Sequence, residues 1–294
     1  MKKKIILGVV IAVCLTATLG TLYAMVMSLG GFKHTYENFG YLISEKDEII
    51  IVQYTDKQGV SDVTIPEEID GKPVVTVKDF AFVNTDQVKT IRIGKSVKEI
   101  SDWSFTNNVN LERFVVDAEN PNYKDLDGVL FTKDGKTLMC YPNFHMTAED
   151  NKAAPYVIPE GVETISGKAF YKCNNVFRVT FPSSLRYINE GAFLYTEQLE
   201  NISLPQGLLR IEKDAFSYCS RIGSRTVDGS YVDDVPVVLP ASLEYVGDYA
   251  FYNAVYIKSL VVNKPKAFTE EKWGYKWFPV QNGDVIGDCV ITYE

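Results

Sequence analysis

A dipeptide of Ala followed by Phe recurs along the chain and constrains its fold more than any other feature. Its Phe, preceded by Ser rather than Ala in one copy, lies at Phe82, Phe105, Phe170, Phe193, Phe216 and Phe251. Three of the gaps between neighbouring Phe residues are 23 residues long, and the other two are 65 and 35. A fixed period of this size is typical of a repeat architecture, in which each unit buries its apolar side by stacking on its neighbours.

The residues before each Phe repeat in phase with it. Val or Ile lies five residues upstream of every Phe, and Val or Leu lies three residues before that. Still earlier comes an apolar residue followed by Pro in five copies and by Gly94 in the sixth. An apolar step of period two that ends at Pro, as in Ile202-Ser203-Leu204-Pro205, predicts a short strand, because Pro cannot donate to a continuing ladder. The pattern predicts a solenoid of parallel strands about 4.8 Å apart, with the six Phe in a single interior file.

This unit resembles the BspA-type leucine-rich repeat, also called the Treponema-type repeat, of bacterial surface proteins. The resemblance covers residues 50–262, and it rests on six coils in phase rather than on one motif. The unit departs from the common leucine-rich repeat, in which Asn or Cys follows the strand, because Pro stands there instead. The resemblance implies an exported surface protein, and some members of the family are adhesins for host matrix proteins. It also implies an inserted hairpin in the longest gap.

We therefore predict a mainly β chain: a leucine-rich-repeat solenoid of stacked parallel short strands, with an inserted β-hairpin, short helical turns and an N-terminal hydrophobic helix. Asp134-Gly135 lies between alternating apolar runs, which predicts a two-residue hairpin turn in the insertion. The C-terminal cap is predicted to be a hairpin. The predicted segments are 1–32 (signal peptide or membrane anchor), 33–62 (N-terminal cap), 63–268 (solenoid, with a hairpin insertion at about 116–155 and a loop insertion at about 221–234) and 269–294 (C-terminal cap).

The N-terminus predicts export. Three Lys at positions 2–4 precede 28 residues, Ile5–Phe32, that carry no acidic or basic side chain. The apolar core of a signal peptide spans about 7–15 residues, whereas a membrane-spanning helix needs about 20. The length favours an uncleaved anchor, with cleavage after Ala24 and lipidation at Cys14 as the alternatives. If the segment is an anchor or a signal peptide, Lys33 and the residues after it lie outside the cytoplasm.

Composition disfavours several functional classes. The net charge is −8, so the chain is a poor candidate for binding the phosphate backbone of nucleic acids. Only two His residues are present, His34 and His145, and both are interpreted as surface residues without ligand neighbours. The sequence has no HExxH, GxSxG, P-loop or CxxC motif. We expect no cofactor and no enzymatic activity.

Two columns of residues form the candidate ligand surface. One follows the repeat Phe and contains Tyr, which could stack on sugar rings or anchor a protein partner. The other contains outward residues of the first strand of each coil. The structural alternatives are favoured for both columns: packing between turns for the first and strand propensity for the second. The candidate residues are Tyr171, Phe177, Tyr195, Tyr218, Tyr252, Arg92, Thr180 and Ser203.

Two other motifs are interpreted as structural. Cys173 and Cys219 both lie three residues after a repeat Phe, and stacking places them two coils apart, about 9.6 Å. That separation exceeds the limit of about 7 Å for a disulfide, so we predict two buried thiols. The run Asp125-Leu126-Asp127-Gly128 lacks the remaining ligands of a calcium loop and predicts a turn.

The function favoured by the sequence is that of an exported, non-enzymatic protein that binds a protein or glycan on the cell surface, as in adhesion. The alternative is a membrane-tethered scaffold that holds a partner protein in the bacterium's own envelope. An enzyme is a weaker third hypothesis.

Overall fold

The computed structural model describes residues 34–55, 59–83, 85–145, 155–227, 230–281, 284–285 and 289–294. These residues are mainly β, as predicted, and they include one α-helix, α1 (Lys266–Lys272). Segment 1–32, with its predicted hydrophobic helix, lies outside the described residues. Within those ranges, no helix has the length and apolar character needed to span a membrane.

Short strands run from one end of the described chain to the other. The N-terminal strands are β1 (His34–Tyr36), β2 (Phe39–Ile43), β3 (Ile49–Tyr54), β4 (Asp62–Thr64), β5 (Glu68–Ile69), β6 (Lys72–Val77), β7 (Thr90–Ile93), β8 (Glu99–Ile100) and β9 (Arg113–Val116). The middle strands are β10 (Tyr123–Leu126), β11 (Val129–Thr132), β12 (Thr137–Cys140), β13 (Tyr156–Val157), β14 (Thr164–Ile165), β15 (Val179–Thr180), β16 (Tyr187–Ile188) and β17 (Arg210–Ile211). The remaining strands are β18 (Arg225–Val227), β19 (Ser230–Val232), β20 (Val237–Leu239), β21 (Tyr245–Val246), β22 (Ser259–Val262), β23 (Val280–Gln281), β24 (Asp284–Val285) and β25 (Val290–Tyr293).

Successive coils stack through two parallel ladders, one for each apolar step of the repeat. The step that ends at Pro or Gly94 makes the first ladder, which runs through β4-β7-β9, then β13-β15, then β20-β22-β25. The strand predicted at Ile202-Ser203-Leu204 is wrong: this segment forms no regular strand, and the first ladder is interrupted there between β15 and β20. The step before the Ala-Phe turn makes the second ladder, which runs through β3-β6-β8 and later through β12-β14-β16-β17-β21. In the second ladder Ile165 pairs with Ile188, which pairs with Ile211, so equivalent residues of adjacent coils lie side by side.

All six repeat Phe residues are buried, as predicted, but they form two files rather than one. In the longer file Phe170, Phe193, Phe216 and Phe251 stack with successive ring centroids 4.6, 5.1 and 5.4 Å apart. In the shorter file Phe82 contacts Phe105 at 5.4 Å. The two files are separate because the 65-residue gap between Phe105 and Phe170 contains the inserted strands β10, β11 and β12, which lie between them. Tyr141 stacks on Phe170 at 4.9 Å at the start of the longer file.

The turn after each repeat Phe is also a stacked element. Its backbone amides donate to the next coil, as from Phe170 to Ala192 and from Phe193 to Ala215. The residue three positions after Phe is buried, and in two coils of the longer file its side chain donates back to the preceding coil. The Thr196 hydroxyl donates to the Phe170 carbonyl at 2.6 Å, and the Cys219 thiol donates to the Phe193 carbonyl at 2.9 Å. At Thr196 and Cys219 this buried position therefore links adjacent coils by a hydrogen bond.

Three predictions about the irregular regions need correction. Segment 221–234 contains a two-stranded antiparallel hairpin, β18–β19, where a loop was predicted. The C-terminal cap is more than a hairpin: α1 and the short pair β23–β24 precede β25, which runs parallel to β22. His145 is buried, not on the surface, because its ring packs edge-on against Tyr141 at 5.1 Å.

Candidate ligand-binding surface

The four Tyr residues of the predicted column lie in contact with one another. Ring centroids are 6.1 Å apart for Tyr171 and Tyr195, 4.5 Å for Tyr195 and Tyr218, and 5.4 Å for Tyr218 and Tyr252. Each side chain is partly exposed. The coils thus bring together residues that are far apart in sequence, at a spacing set by the strand ladders.

Two of these Tyr residues lie at a left-handed backbone position. Tyr195 and Tyr218 are the second residue after Phe and have φ of 62° and 60°. The equivalent positions hold Lys172 and Asn253, with φ of 57° and 58°. Left-handed backbone disfavours residues with a Cβ by about 1–2 kcal/mol, and Asn tolerates it better than Tyr.

The aromatic column extends beyond the four predicted residues at both ends. Trp103 contacts Tyr171 at 5.5 Å, and Phe80 contacts Trp103 at 5.3 Å. Tyr249 contacts both Tyr252 and Tyr275 at 5.7 Å. We call this set the aromatic ridge: Phe80, Trp103, Tyr171, Tyr195, Tyr218, Tyr252, Tyr249 and Tyr275.

The sequence interpretation missed the outer members because they occupy a different position of the unit. Phe80, Trp103 and Tyr249 each lie two residues before a repeat Phe, whereas the predicted Tyr residues follow one. An aromatic residue recurring at that upstream position was the available signal.

Two hydroxyls of the ridge, those of Tyr171 and Tyr218, have a pKa above the ordinary value for Tyr. Burial raises the pKa of Tyr171 to about 12, and the neighbouring Tyr195 adds to the effect. The pKa of Tyr218 is also raised, first by partial burial and then by Tyr195 and Tyr252, with which its hydroxyl hydrogen-bonds. At these two residues the ridge therefore offers apolar ring surface together with a neutral hydroxyl donor and acceptor.

Charges of both signs lie beside the ridge. The Lys168 ammonium lies 4.7 Å from the Trp103 ring centroid and donates to the Glu190 carbonyl at 3.0 Å. Its side chain is only 4% exposed, and this burial lowers the pKa of Lys168, against the opposing pull of Glu190, Asp214 and Asp102. Asp102 accepts a hydrogen bond from the Ser166 hydroxyl at 2.8 Å. Charges of both signs therefore border the ridge.

The outward strand column is exposed but is a separate surface. Arg92 pairs with Asp62 at 3.2 Å, across neighbouring strands of the first ladder. Thr180 and Ser203 are exposed, and among the described contacts no charged or aromatic side chain lies against either of them. Phe177 is partly buried. Among the described residues, its ring makes no contact with a ring of the ridge.

A second aromatic and basic row lies on the outward side of the second ladder. Tyr187 pairs with Arg210, and Arg210 pairs with Tyr245. The Arg210 guanidinium lies 4.4 Å from the Tyr245 ring centroid and donates to Glu212 at 2.7 Å. This row is absent from the sequence predictions, which concern the outward positions of the first ladder only.

The other candidate residues have structural surroundings. The Asp125 carboxylate accepts a hydrogen bond from the Val116 amide at 2.8 Å, and Asp127-Gly128 forms the turn between β10 and β11, as predicted. The His145 Nδ1–H donates to the Glu112 carbonyl, 3.2 Å away. Cys173 and Cys219 are free thiols in the core. Within the described part of the chain, no group of three His, Cys, Asp or Glu side chains is placed to hold a metal ion.

The repeat identifies the family. A family model described as the BspA type leucine rich repeat region matches six copies, over residues 53–133 and 149–272. The chain belongs to the BspA-type leucine-rich repeat family. The match confirms the resemblance drawn from the Ala-Phe unit, and its two segments leave out part of the hairpin region. No curated protein matches this chain.

Several solved structures are similar to this BspA-type chain. A leucine-rich repeat protein from Eubacterium ventriosum is 16% identical, with a TM-score of 0.49 and coverage of 83% of each chain. The pneumococcal vaccine antigen PcpA is 16% identical, with a TM-score of 0.47 and coverage of 89% of this chain and 87% of its own. A leucine rich cell surface protein from Faecalibacterium prausnitzii is 21% identical, with a TM-score of 0.41 and coverage of 78% and 70%.

Proposed function

We propose that this protein is an exported, non-enzymatic binding protein that recognises a protein or glycan through the aromatic ridge. The observation that carries the proposal is the continuous contact of eight aromatic rings across successive coils. A solenoid presents an extended surface, and its interior is filled by the repeat Leu, Ile and Phe side chains. Tyr and Trp supply large contact area at a modest entropic cost, which is why they are enriched at binding interfaces.

Membership of the family supports a location outside the cytoplasm. The uncharged stretch Ile5–Phe32 behind three Lys residues agrees with export, by anchor or by signal peptide. Adhesion at the cell surface is the role we propose first. The second candidate, a tethered scaffold in the bacterium's own envelope, is favoured by the length of the same stretch, because an uncleaved anchor keeps the solenoid near the membrane.

A pull-down with residues 33–294 against host-matrix and envelope extracts tests the function. Adhesion predicts capture of a matrix protein or glycan, and the scaffold role predicts capture of an envelope protein. Capture of neither class from concentrated extracts would contradict both.

The captured ligand then tests the site. Replacing Tyr171, Tyr195, Tyr218 and Tyr252 by Ser together should abolish detectable binding in a folded variant, while each single change weakens it by about 1–2 kcal/mol.

The matched control places the same substitution on the other ladder. Tyr187→Ser together with Tyr245→Ser should leave the affinity unchanged if the ridge is the ligand surface. Full affinity in the quadruple ridge variant would rule out the ridge, and loss of affinity in the control would assign binding to the Tyr187–Arg210–Tyr245 row instead.

A further inference from the structure

The inserted hairpin repeats the construction of the N-terminal strands. β2–β3 and β11–β12 are both antiparallel pairs, and each shifts register at one place, Gly40/Tyr41 in the first and Leu130/Phe131 in the second. In both pairs, the second strand also pairs in parallel with the next strand of the second ladder: β3 with β6, and β12 with β14. Ile51 pairs with Val77 in the first case, and Leu138 pairs with Ile165 in the second.

A Tyr residue ends each of these strand pairs in the same way. Tyr54 and Tyr141 lie three residues after the paired residues Ile51 and Leu138. The Tyr54 amide donates to the Ala81 carbonyl at 2.6 Å, and the Tyr141 amide donates to the Ala169 carbonyl at 2.8 Å.

The two Tyr rings also make the same stacking contact. Tyr54 stacks on Phe82 at 5.2 Å with an interplanar angle of 14°. Tyr141 stacks on Phe170 at 4.9 Å with an angle of 22°. Each Tyr therefore occupies the place of a repeat Phe in front of the first true coil of its file, which is the position of an N-terminal cap.

The strand β11 separates two hydrophobic cores. Val129 and Phe131 belong to the core that contains Phe170 to Phe251, whereas Leu130 between them belongs to the core of Phe82 and Phe105. Successive side chains of a strand point to opposite faces, so one strand serves both cores. On the preceding side, the Tyr123 hydroxyl accepts a hydrogen bond from the Ile100 amide at 3.0 Å, which ties β10 to the first core.

On the ridge side, the two files are joined through side chains. The Asp102 carboxylate bonds the Ser166 hydroxyl, and the Lys172 ammonium donates to the Asn107 side chain at 3.0 Å. Within the longer file, by contrast, the turns are joined by backbone hydrogen bonds from coil to coil.

We propose that the described residues of 34–126 and 127–294 form two separately capped blocks, each of which unfolds as its own cooperative unit, although the pairing of β10 with β11 and the hydrogen bond from the Phe114 amide to the Gly128 carbonyl cross the boundary. The hairpin is then a second N-terminal cap inside the chain, and the ridge crosses the seam between Trp103 and Tyr171. In a solenoid each coil contacts only its neighbours, so a change in core contacts at one point divides the cooperative unit there.

Peptide-resolved hydrogen exchange on the full-length chain tests this proposal. Phe82→Ala should increase exchange roughly a hundredfold in β6–β9 and leave β16–β21 within about threefold of the parent. Phe193→Ala should do the reverse. Phe144→Ala, an exposed residue at the seam, is the matched control and should change neither block. Equal loss of protection in both blocks from either core variant would overturn the proposal.

A milder pair of variants keeps the test decisive if an Ala variant does not fold. Tyr54→Leu removes the ring stack of the first cap, and Tyr141→Leu removes that of the second. Tyr141→Leu should raise exchange in β14 and β16 and spare β6 and β8, with the opposite result for Tyr54→Leu. If Tyr141→Leu raises exchange equally in β6 and β8, the hairpin is a simple insertion and not a cap.

Discussion

Thr196 shows how one side chain links two coils. Its hydroxyl donates to the Phe170 carbonyl of the preceding coil from a fully buried position. Thr196→Val keeps the shape and removes the donor, so we expect the free energy of unfolding to fall by about 1 kcal/mol. Urea denaturation monitored by circular dichroism measures it. Thr180→Val, the same change at an exposed strand position, is the control and should have no effect. If Thr196→Val and Thr180→Val have equal free energies of unfolding, the Thr196 hydroxyl does not stabilise the fold.

Asp102 gives the stability a defined pH dependence. Its pKa is raised above 3.8, first because its carboxyl is withdrawn from solvent and further by Asp79 and Glu190, while Ser166 and Lys168 oppose the shift. A raised folded-state pKa means that the folded protein holds this proton more tightly. The stabilisation is complete below about pH 3.8 and is lost as the pH rises through the folded-state pKa.

Asp102→Asn tests that sign, because it removes the titration and keeps an acceptor for Ser166. The free energy of unfolding of the parent minus that of the variant should fall as the pH rises from about 3.8 towards neutrality, and then level off. Urea unfolding of both proteins across this range measures the difference. A difference that grows with pH would show that the carboxylate is stabilised in the fold.

At the residue scale, the sequence predicts which Phe side chains are buried, but it predicts only some of the residues of the ridge. Phe193 and its equivalents were placed inside because their period matches that of the strands before them. Trp103 was not grouped with Tyr171, because 65 residues separate their repeat Phe neighbours and only the fold brings the rings together. His145 was misplaced because sequence gives no sign that the loop folds back on Tyr141.

At the scale of the element, coils approach so closely that some positions exclude a side chain. A Cβ at Gly247 would meet backbone atoms of Glu212 and Lys213 in the preceding coil, whereas one at Gly207 would meet the flexible Arg186 guanidinium. Gly247→Ala should therefore lower the free energy of unfolding by about 1–3 kcal/mol, and Gly207→Ala by at most about 0.5 kcal/mol. Thermal denaturation of the pair measures the contrast. Equal losses would mean that the backbone of adjacent coils can separate to make room.

The strands themselves were predicted from period two, but the double role of β11 was not. Val129, Leu130 and Phe131 form one continuous apolar run, and such a run does not reveal which residue faces which core. The Asp134-Gly135 turn predicted the β11–β12 hairpin. The equivalence of that hairpin to β2–β3 was not predictable, because it depends on the pairing register of the strands, which the sequence does not show.

At the scale of the whole molecule, the ridge predicts binding that is spread over coils and nearly independent of salt. Lys168 and Lys172 lie among acids such as Asp102 and Glu190, so charges of both signs border the ridge even though the chain has a net charge of −8. Charges exposed at a surface are screened within about 8 Å at physiological ionic strength. We expect the Kd of the captured ligand to change by less than about threefold between low and high salt. A steep loss of affinity would point to the acidic surface instead.

The left-handed backbone at Tyr195 and Tyr218 has a consequence for how such a ridge can be inherited. A library randomised at these two codons contains Gly and Asn, which suit φ near 60° better than Tyr does. Screened for folding alone, the surviving pool should drift towards those residues, as at Asn253. Screened for ligand capture, it should return to Tyr. The difference in Tyr frequency between the two pools at each codon measures how far ligand recognition, rather than packing, maintains Tyr at that position.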